Sequence, residues 1–317
     1  MKIIVTGSAG FIGYHLVNKL TDNKKNTVVG IDSVNNYYSK KLKNLRVRIL
    51  KKNKNFFFKK VNLQNKKKTE EIVKRFKPDI VFHIAGQPGV LYSFKNPLSY
   101  KKNNVIGTEN LSTICKKYRI SKFIFASSSS VYGDQRKFPI QENFKKNPKN
   151  YYAKTKLECE KIIKKKFINS DTEYMIYRFF TVFGPLGRPD MFIHKFLNSL
   201  KKNKKILLHN NGMNYRDFTY VDDLVKILIL TTKKIHTGKI LNICRSKPIK
   251  TTHLVNLIHK IYGNSTNKII NTGFVTGEML KTHGSNNALK KNFNNLKFTD
   301  LEVGLKKTIA TYKKFGY

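Results

Sequence analysis

The chain of 317 residues has no tryptophan, three cysteines and eight prolines. Cys115, Cys159 and Cys244 are odd in number and far apart, which argues against a disulfide framework and against a zinc site. Acid is also scarce: 19 Asp and Glu stand against 63 Lys and Arg, for a net charge of +44. No apolar run approaches the roughly 18 residues that a membrane-spanning helix needs. The first residues enter an apolar strand directly, without a basic segment and a hydrophobic stretch behind it. These absences point to a soluble, cytoplasmic protein with no membrane partner. Hydrophobic residues make up 40%, enough core for one large α/β unit or two smaller domains.

A positive charge of this size is what a nucleic-acid-binding protein carries. The lysines, however, are spread along the whole chain. Their denser groups, Lys51–Lys54, Lys66–Lys68, Lys161–Lys166 and Lys201–Lys205, fall where helix faces or loops are expected. Asparagine is abundant too, which suggests a biased source composition. The charge therefore reads as a solvated surface that steers anionic small substrates, with no nucleic-acid partner. A basic binding protein on the same fold is the non-enzymatic alternative.

What the sequence does contain is concentrated in its first residues. Lys2–Thr6 is a short apolar run, and Gly7-Ser-Ala-Gly10-Phe-Ile-Gly13 follows at once, ahead of an amphipathic stretch from Tyr14 to Leu20. This order predicts strand, tight turn and helix. Gly7 permits the turn, Gly10 lets a phosphate approach the backbone, and Gly13 lets helix pack on strand. The helix N-terminus then presents N–H groups and a positive dipole end to a diphosphate. A second apolar run, Thr27–Ile31, ends at Asp32, where an acid can accept from both hydroxyls of a ribose and would repel a 2′-phosphate. Together these features predict NAD as the cofactor.

Further along, Tyr37–Leu50 is expected to be helical and Asn55–Val61 to be a buried third strand. Asn62 and Leu63 follow it, with the Asn62 amide oxygen a candidate acceptor for the adenine amino group or else a plain turn residue. Lys66–Phe76 reads as a helix, Asp79–His83 as a fourth strand, and Ile84–Gly89 as a small-residue turn at that strand's carboxyl end, where ligands of open α/β sheets sit. Asn96–Tyr118 reads as one long helix and Ser121–Ala126 as a fifth strand. Strands alternating with helices at this spacing predict a parallel, doubly wound sheet.

Two later segments carry chemistry. Ser127-Ser-Ser-Ser-Val-Tyr-Gly133 follows strand five, and Tyr151-Tyr152-Ala-Lys-Thr-Lys156 opens a helix. Tyr152 and Lys156 are four apart and share a helical face. An ammonium beside a phenol favours the phenolate, so Tyr152 is a candidate acid/base. Tyr151 has Thr155 four residues on and lacks such a partner. The histidines, including His83, His194 and His283, have no metal-like spacing, and no metal is expected.

The glycine turn Thr6–Gly13, the run S-S-S-V-Y-G and Y-x-x-x-K together resemble the extended short-chain dehydrogenases that act on nucleotide sugars. The resemblance implies that Tyr152 is the base, that Lys156 holds the nicotinamide ribose and that Ser128 binds the reacting hydroxyl. It implies a cofactor site built from Gly7, Gly10, Phe11, Ile12, Gly13, Asp32, Asn62, Leu63, Ala85, Gly86, Asn104, Ser127, Tyr152, Lys156 and Phe179. In related dehydratases and decarboxylases, carboxylates stand where this chain has Ser129 and Ser130. That difference leaves oxidation and reduction at one carbon, which is epimerisation.

Phe179-Phe-Thr-Val-Phe-Gly-Pro-Leu-Gly-Arg-Pro-Asp-Met191 is similar to the substrate loop of UDP-glucuronate 4-epimerases, with Phe183 and Leu186 as departures. The resemblance implies substrate contacts from Ser128, Thr181, Arg188 and Arg216, the last with the diphosphate. Arg188, held between Gly187 and Pro189, is expected to project and take a sugar carboxylate, because a guanidinium fork suits one. Arg178 is expected to be structural. The segment Gly277–Ser285 lacks the proline and the last acid of the family pattern. The domain expectation is a Rossmann unit over 1–178, joined again by 219–245, and a smaller substrate-binding α+β domain from 179–218 and 246–317. The expected activity is C4 inversion of a UDP-hexuronic acid. Neutral UDP-hexoses or UDP-N-acetylhexosamines, and less strongly UDP-glucuronate decarboxylation, are the alternatives. The family also implies a homodimer paired through helices near Asn96–Tyr118 and Asn150–Phe167.

Overall fold

Apolar, β-branched runs alternate with lysine-faced helices through the first half of the chain, and this alternation produces a parallel sheet. The computed structural model describes residues 1–234, 237–263, 267–273 and 279–316. The first half gives β1 (Lys2–Thr6), α1 (Phe11–Thr21), β2 (Thr27–Asp32), α2 (Lys40–Leu50), β3 (Phe56–Lys60), α3 (Lys66–Phe76) and β4 (Ile80–His83). Two short helices, α4 (Tyr92–Lys95) and α5 (Pro97–Tyr100), lead through a π-helical stretch, Lys101–Ile106, into α6 (Gly107–Lys117). β5 (Lys122–Ser128), a 3₁₀ turn at Ser129–Tyr132, α7 (Tyr151–Phe167) and β6 (Glu173–Phe179) follow. Beyond them come β7 (Thr181–Phe183), α8 (Phe192–Lys201), β8 (Ile206–His209), β9 (Tyr215–Tyr220), α9 (Val221–Lys233), β10 (Ile240–Ile243), β11 (Pro248–Lys250), α10 (Thr251–Tyr262), β12 (Ile269–Thr272), α11 (Asn287–Asn292) and α12 (Leu301–Phe315).

Seven strands form one parallel sheet in the order β10-β6-β5-β4-β1-β2-β3. This is the Rossmann-type doubly wound arrangement, and its order reverses between β1 and β4, where such sheets open a ligand crevice. Successive side chains of β1 point to opposite faces. Ile3 and Val5 join one apolar cluster with Leu16, Leu20 and Leu224, and Ile4 joins the other with Val81, Leu111 and Ile163. Each such side chain, fully buried, contributes about 1.5–3 kcal/mol. Beside this sheet, β11-β9-β7 make a three-stranded sheet and β12-β8 a two-stranded one.

Several expectations are corrected. The third strand is not buried but forms the sheet edge, with Phe57 51% exposed. The helix expected from Tyr37 starts at Lys40, because the Ser39 hydroxyl accepts from Leu42 N at 3.2 Å and caps it there. The long helix expected over Asn96–Tyr118 begins at Pro97 and is interrupted by the π-helical stretch, so Asn103 and Asn104 lie in widened backbone. The apolar stripes of α6 and α7 face this chain's own core: Leu111, Ile114 and Cys115 on one, Cys159, Ile163 and Phe167 on the other. The outward face of α7 carries Lys154, Glu158, Lys161 and Lys165. The residues of the four lysine groups are mostly exposed, as a solvated surface requires.

Arg178, 1% exposed at the end of β6, forms a two-pronged pair with Glu160 of α7, Nε to Oε1 at 2.9 Å and Nη2 to Oε2 at 2.7 Å. It also donates to Tyr132 Oη at 2.9 Å. Breaking a buried pair leaves a charge without its partner, so Arg178→Met should cost about 3–5 kcal/mol of stability. The check is the urea midpoint of the variant against wild type, where a change within about 0.5 kcal/mol would show the pair to be dispensable.

Candidate functional site

The turn that joins β1 to α1 is crowded, and crowding dictates its glycines. Gly7 has φ +73°, and a Cβ there would stand 2.8 Å from Ala85 N. A Cβ on Gly13 would lie 2.1 Å from Gly7 O, so only glycine lets the helix start so close to the turn. Gly10 is the N-cap of α1 and supplies no side-chain hydrogen bond, so the first amides of the helix await an acceptor. Phe11, Ile12 and Gly13 line a cavity of about 1080 Å³ at the carboxyl ends of the parallel strands. An uncapped helix start opening into a cleft of this size fits a diphosphate.

Asp32, at the end of β2, lines the same cavity. Its Oδ2 accepts from Ala9 N at 3.1 Å and its Oδ1 from Val34 N at 2.7 Å, which fixes the carboxylate. Burial raises its pKa, opposed by the Val34 amide, by Lys43 and by the Ala9 amide. Lys43, which sequence reasoning missed, also lines the cavity and donates to Asn35 O at 2.8 Å and Asn35 Oδ1 at 2.6 Å. Burial lowers its pKa to about 8. In a chain with 63 lysines and arginines, nothing in the sequence separates this lysine from the solvated ones.

Arg46 was missed for the same reason. It is fully buried in α2. Its Nη1 donates to Ala9 O at 2.9 Å and Tyr38 Oη at 2.7 Å, and its Nη2 to Leu186 O at 2.6 Å and Gly187 O at 3.2 Å. One side chain thus joins the glycine turn to the loop that carries Arg188.

Leu63, Ala85, Gly86, Ser127, Phe179, Thr181 and Arg216 all line the cavity. Asn62 does too, but its Oδ1 accepts from Gln64 N at 3.0 Å, which is the turn role. Asn104 lies beneath the floor, where Oδ1 accepts from Gln87 N at 2.6 Å and Nδ2 donates to Thr155 Oγ1 at 3.0 Å. A Cβ on Gly86 would fall between Asn104 Oδ1 and Lys156 Nζ, at 3.1 and 3.3 Å. The Ser127 hydroxyl turns to Glu160 Oε1 at 2.6 Å. Arg216 Nη1 donates to Tyr215 O at 3.0 Å and Leu280 O at 3.3 Å. Gly277 and Glu278 of the divergent Gly277–Ser285 segment lie outside the described residues.

Asn150 caps α7, its Oδ1 accepting from Ala153 N at 2.9 Å, and that cap sets the register of the helix. Tyr152 and Lys156 line the cavity one turn apart. Lys156 is 5% exposed, donates to Ala126 O at 2.7 Å and lies 4.8 Å from the centre of the Phe125 ring. The Tyr152 ring stands edge-on to Tyr100 at 6.1 Å. Ser128 Oγ accepts from Ser130 N at 3.2 Å and from Ser130 Oγ at 2.9 Å, so its own hydroxyl proton is the one it can offer a ligand. Arg188 does not project alone, as the sequence suggested. It is paired with Asp190, Nε to Oδ1 at 3.0 Å and Nη2 to Oδ2.

The chain carries a match to the model of the NAD dependent epimerase/dehydratase family over residues 3–244. It is 32% identical over 313 residues to a UDP-glucuronate 4-epimerase of Thermodesulfobacterium geofontis, covering 98% of this chain and 96% of that one. The UDP-glucuronic acid 4-epimerase of Bacillus cereus, solved with UDP-glucuronic acid and NAD, superposes with a TM-score of 0.94 at 32% identity and 99% coverage of both chains. A UDP-N-acetylglucosamine 4-epimerase of Methanobrevibacter ruminantium, in complex with UDP-N-acetylmuramic acid, superposes with a TM-score of 0.87 at 27% identity, over 99% of this chain and 98% of that one. The fold and the glycine turn define a Rossmann-type nucleotide-cofactor protein. The chain belongs to the NAD dependent epimerase/dehydratase family.

Two buried histidines, His83 and His194, and the partly buried His15 make stability depend on pH. Burial lowers His83 to about 3, and lowers His15 and His194 to about 4. His83 sits between Thr6 Oγ1 at 2.8 Å and Thr108 Oγ1 at 2.9 Å, where a neutral ring satisfies both. Unfolded histidine titrates near 6.5. The stability of these neutral rings is complete above about pH 6.5 and is lost as pH falls towards about 4. Asp217, raised to about 6 by burial, works the other way, since its charged form is penalised in the fold as pH rises from about 4 to about 6. Asp32 and Asp223, which burial also raises, act with Asp217, but the three histidines are each displaced further than Asp217, so the urea midpoint should fall between about pH 6.5 and 4.5. His83→Gln should flatten that slope by about one proton. A pH-independent midpoint over this range would refute the assignment.

Proposed function

We propose that the chain is a nucleotide-sugar 4-epimerase that interconverts UDP-glucuronate and UDP-galacturonate. The observation that carries the uronate reading is a guanidinium, Arg188, in the same cavity as Tyr152 and the Ser128–Ser130 row, with serines where elimination chemistry would need carboxylates. The relatives in Thermodesulfobacterium geofontis and Bacillus cereus, named for UDP-glucuronate, support it at 32% identity each.

The Gly7–Gly13 turn and Asp32 would hold NAD, which when bound supplies the acceptor and donor of hydride at C4. Tyr152 takes the proton of the C4 hydroxyl and later returns it. Ser128 donates to the same oxygen through the proton that its two contacts from Ser130 leave available. Lys156, held by Ala126 O, places positive charge beneath the site. Arg188 holds the sugar carboxylate, so that the bond to the carboxylate carbon is poorly aligned for loss of CO₂ next to a C4 ketone. Arg216 is the proposed diphosphate contact. A homodimer belongs to the same proposal. Because α7 presents charge outward, its contact would draw on exposed Leu98 and Ile106.

Tyr152→Phe removes only the proton relay, so it should lose most turnover while keeping fold and bound NAD. Near-normal turnover would move the base elsewhere. Arg188→Ala should weaken use of UDP-glucuronate by about one to two decades and spare any activity on UDP-glucose. The assay is incubation with a panel of UDP-sugars, product chromatography and CO₂ detection. UDP-pentose and CO₂ as main products would make the chain a decarboxylase, and normal handling of UDP-glucuronate by Arg188→Ala would remove Arg188 from the scheme.

A further inference from the structure

The pairing of Arg188 with Asp190 reaches beyond its own loop. Tyr37 Oη donates to Asp190 Oδ2 at 2.9 Å, and the Arg188 guanidinium lies 6.0 Å from the centre of the Tyr37 ring. Tyr37 belongs to the segment that follows Asp32, whereas Arg188 and Asp190 lie in the loop between β7 and α8. That segment is itself anchored: Tyr37 N donates to Asn35 Oδ1 at 3.3 Å, and Lys43 bonds Asn35 twice. The Tyr37 ring also rests against Tyr92, with ring centres 5.1 Å apart. Tyr37, Arg188 and Asp190 all line the cavity.

A guanidinium has five N–H donors in one plane. Asp190 uses the side edge, Nε and Nη2, and the end edge, Nη1 with the outer proton of Nη2, is not part of that pair. A free arginine side chain rotates about several bonds, and each freedom lost on binding weakens affinity. An acid already bound along one edge removes that freedom beforehand. Asp190 is suited to this role. Burial alone would raise its pKa, but the Arg188 charge and the Tyr37 hydroxyl hold it below the usual carboxylate value, so it stays ionised.

We propose that Asp190 and Tyr37 are positioning residues for Arg188: Asp190 fixes the guanidinium plane, Tyr37 fixes Asp190 from the ribose side of the cleft, and the end edge of Arg188 is left for a ligand carboxylate. This rests on the uronate reading above. It adds that carboxylate recognition is set by a three-residue assembly drawn from two loops, and that Tyr37 ties it to the segment bearing Asp32.

The test compares Asp190→Asn, Tyr37→Phe and Arg188→Ala by calorimetry, with UDP-glucuronate and with UDP alone as probes, alongside kcat and KM. Asp190→Asn should raise the Kd for UDP-glucuronate about tenfold and leave that for UDP within about twofold. Tyr37→Phe, which should fold even if Asp190→Asn does not, should show the same selectivity at about three- to fivefold. Loss should appear in KM more than in kcat. Equal weakening of both probes would reduce these residues to a structural role. Tighter binding of UDP-glucuronate by Asp190→Asn would make Asp190 a competitor of the ligand, and either result overturns the proposal. A selective loss in Arg188→Ala with none in the other two overturns it alone. Unaltered UDP-glucuronate binding by Arg188→Ala instead removes Arg188 from the scheme beneath it, and the proposal falls with it.

Discussion

The cleft depends on one buried cation. Arg46 reaches from α2 between the glycine turn and the Leu186–Gly187 loop, and its bonds to Ala9 O, Leu186 O and Gly187 O hold the two in register. Burying a charge costs several kcal/mol unless hydrogen bonds replace its water. Here three carbonyls and the Tyr38 phenol do so, and the planar fork of arginine can reach all of them from one position. A lysine could not, because its donors radiate from a single point. The same contact satisfies carbonyls that the tight turns leave without a helix or strand partner. Leu186 itself adopts φ +50°, an unfavourable backbone for leucine that the surrounding bonds must sustain.

From this constraint the rest of the site follows in layers. The glycine turn can be tight because Gly7 and Gly13 have no side chain to clash with Ala85 or with Gly7 O. The tight turn places the start of α1 at the crevice between β1 and β4. With α2 tied to that turn, the segment after Asp32 is close enough for Tyr37 to reach Asp190. On the other side of the crevice, the Asn150 cap fixes where α7 starts, and so where Tyr152 and Lys156 fall. Glu160, two turns further along α7, links that helix to Arg178 and to Ser127 at the end of β5.

How much of this was legible in the sequence depends on whether its cause is local. The glycine turn, Asp32, the serine row and the Tyr152–Lys156 spacing are short patterns, and the structure gathers all of them around one cavity. β1 and α3 were legible residue for residue, because alternation and helical periodicity are properties of neighbours. The edge position of β3 was not, since three phenylalanines read as a core strand and only strand order shows that one of them faces water. The small sheets β11-β9-β7 and β12-β8 join distant, very short strands that carry no strong local signal. Asn104 matched a motif, yet the motif could not say that the π-helical stretch would turn its amide to Gln87 and Thr155. Arg46, Lys43 and Tyr37 were invisible because their partners lie far along the chain or their type is common in it.

The net charge of +44 bears on selectivity in a way that only the structure makes clear. A positive surface field attracts every nucleotide sugar, because each carries a diphosphate. It speeds encounter and is screened by salt, but it adds little to the choice between a uronate and a neutral hexose. That choice requires a cation whose position is fixed, so that a carboxylate in one orientation gains a forked bond and a hydroxymethyl group in its place does not. Most lysines here, exposed and rotating, cannot supply it. Arg188, about four-fifths buried in its side chain and held by Asp190, meets that requirement of fixed position, and this is why the proposal rests on it. An acid beside an arginine proposed to take a carboxylate costs part of the attraction. In a protein so rich in unfixed cations, a fixed one is the scarcer resource, and Asp190 gives up part of the attraction in exchange for direction.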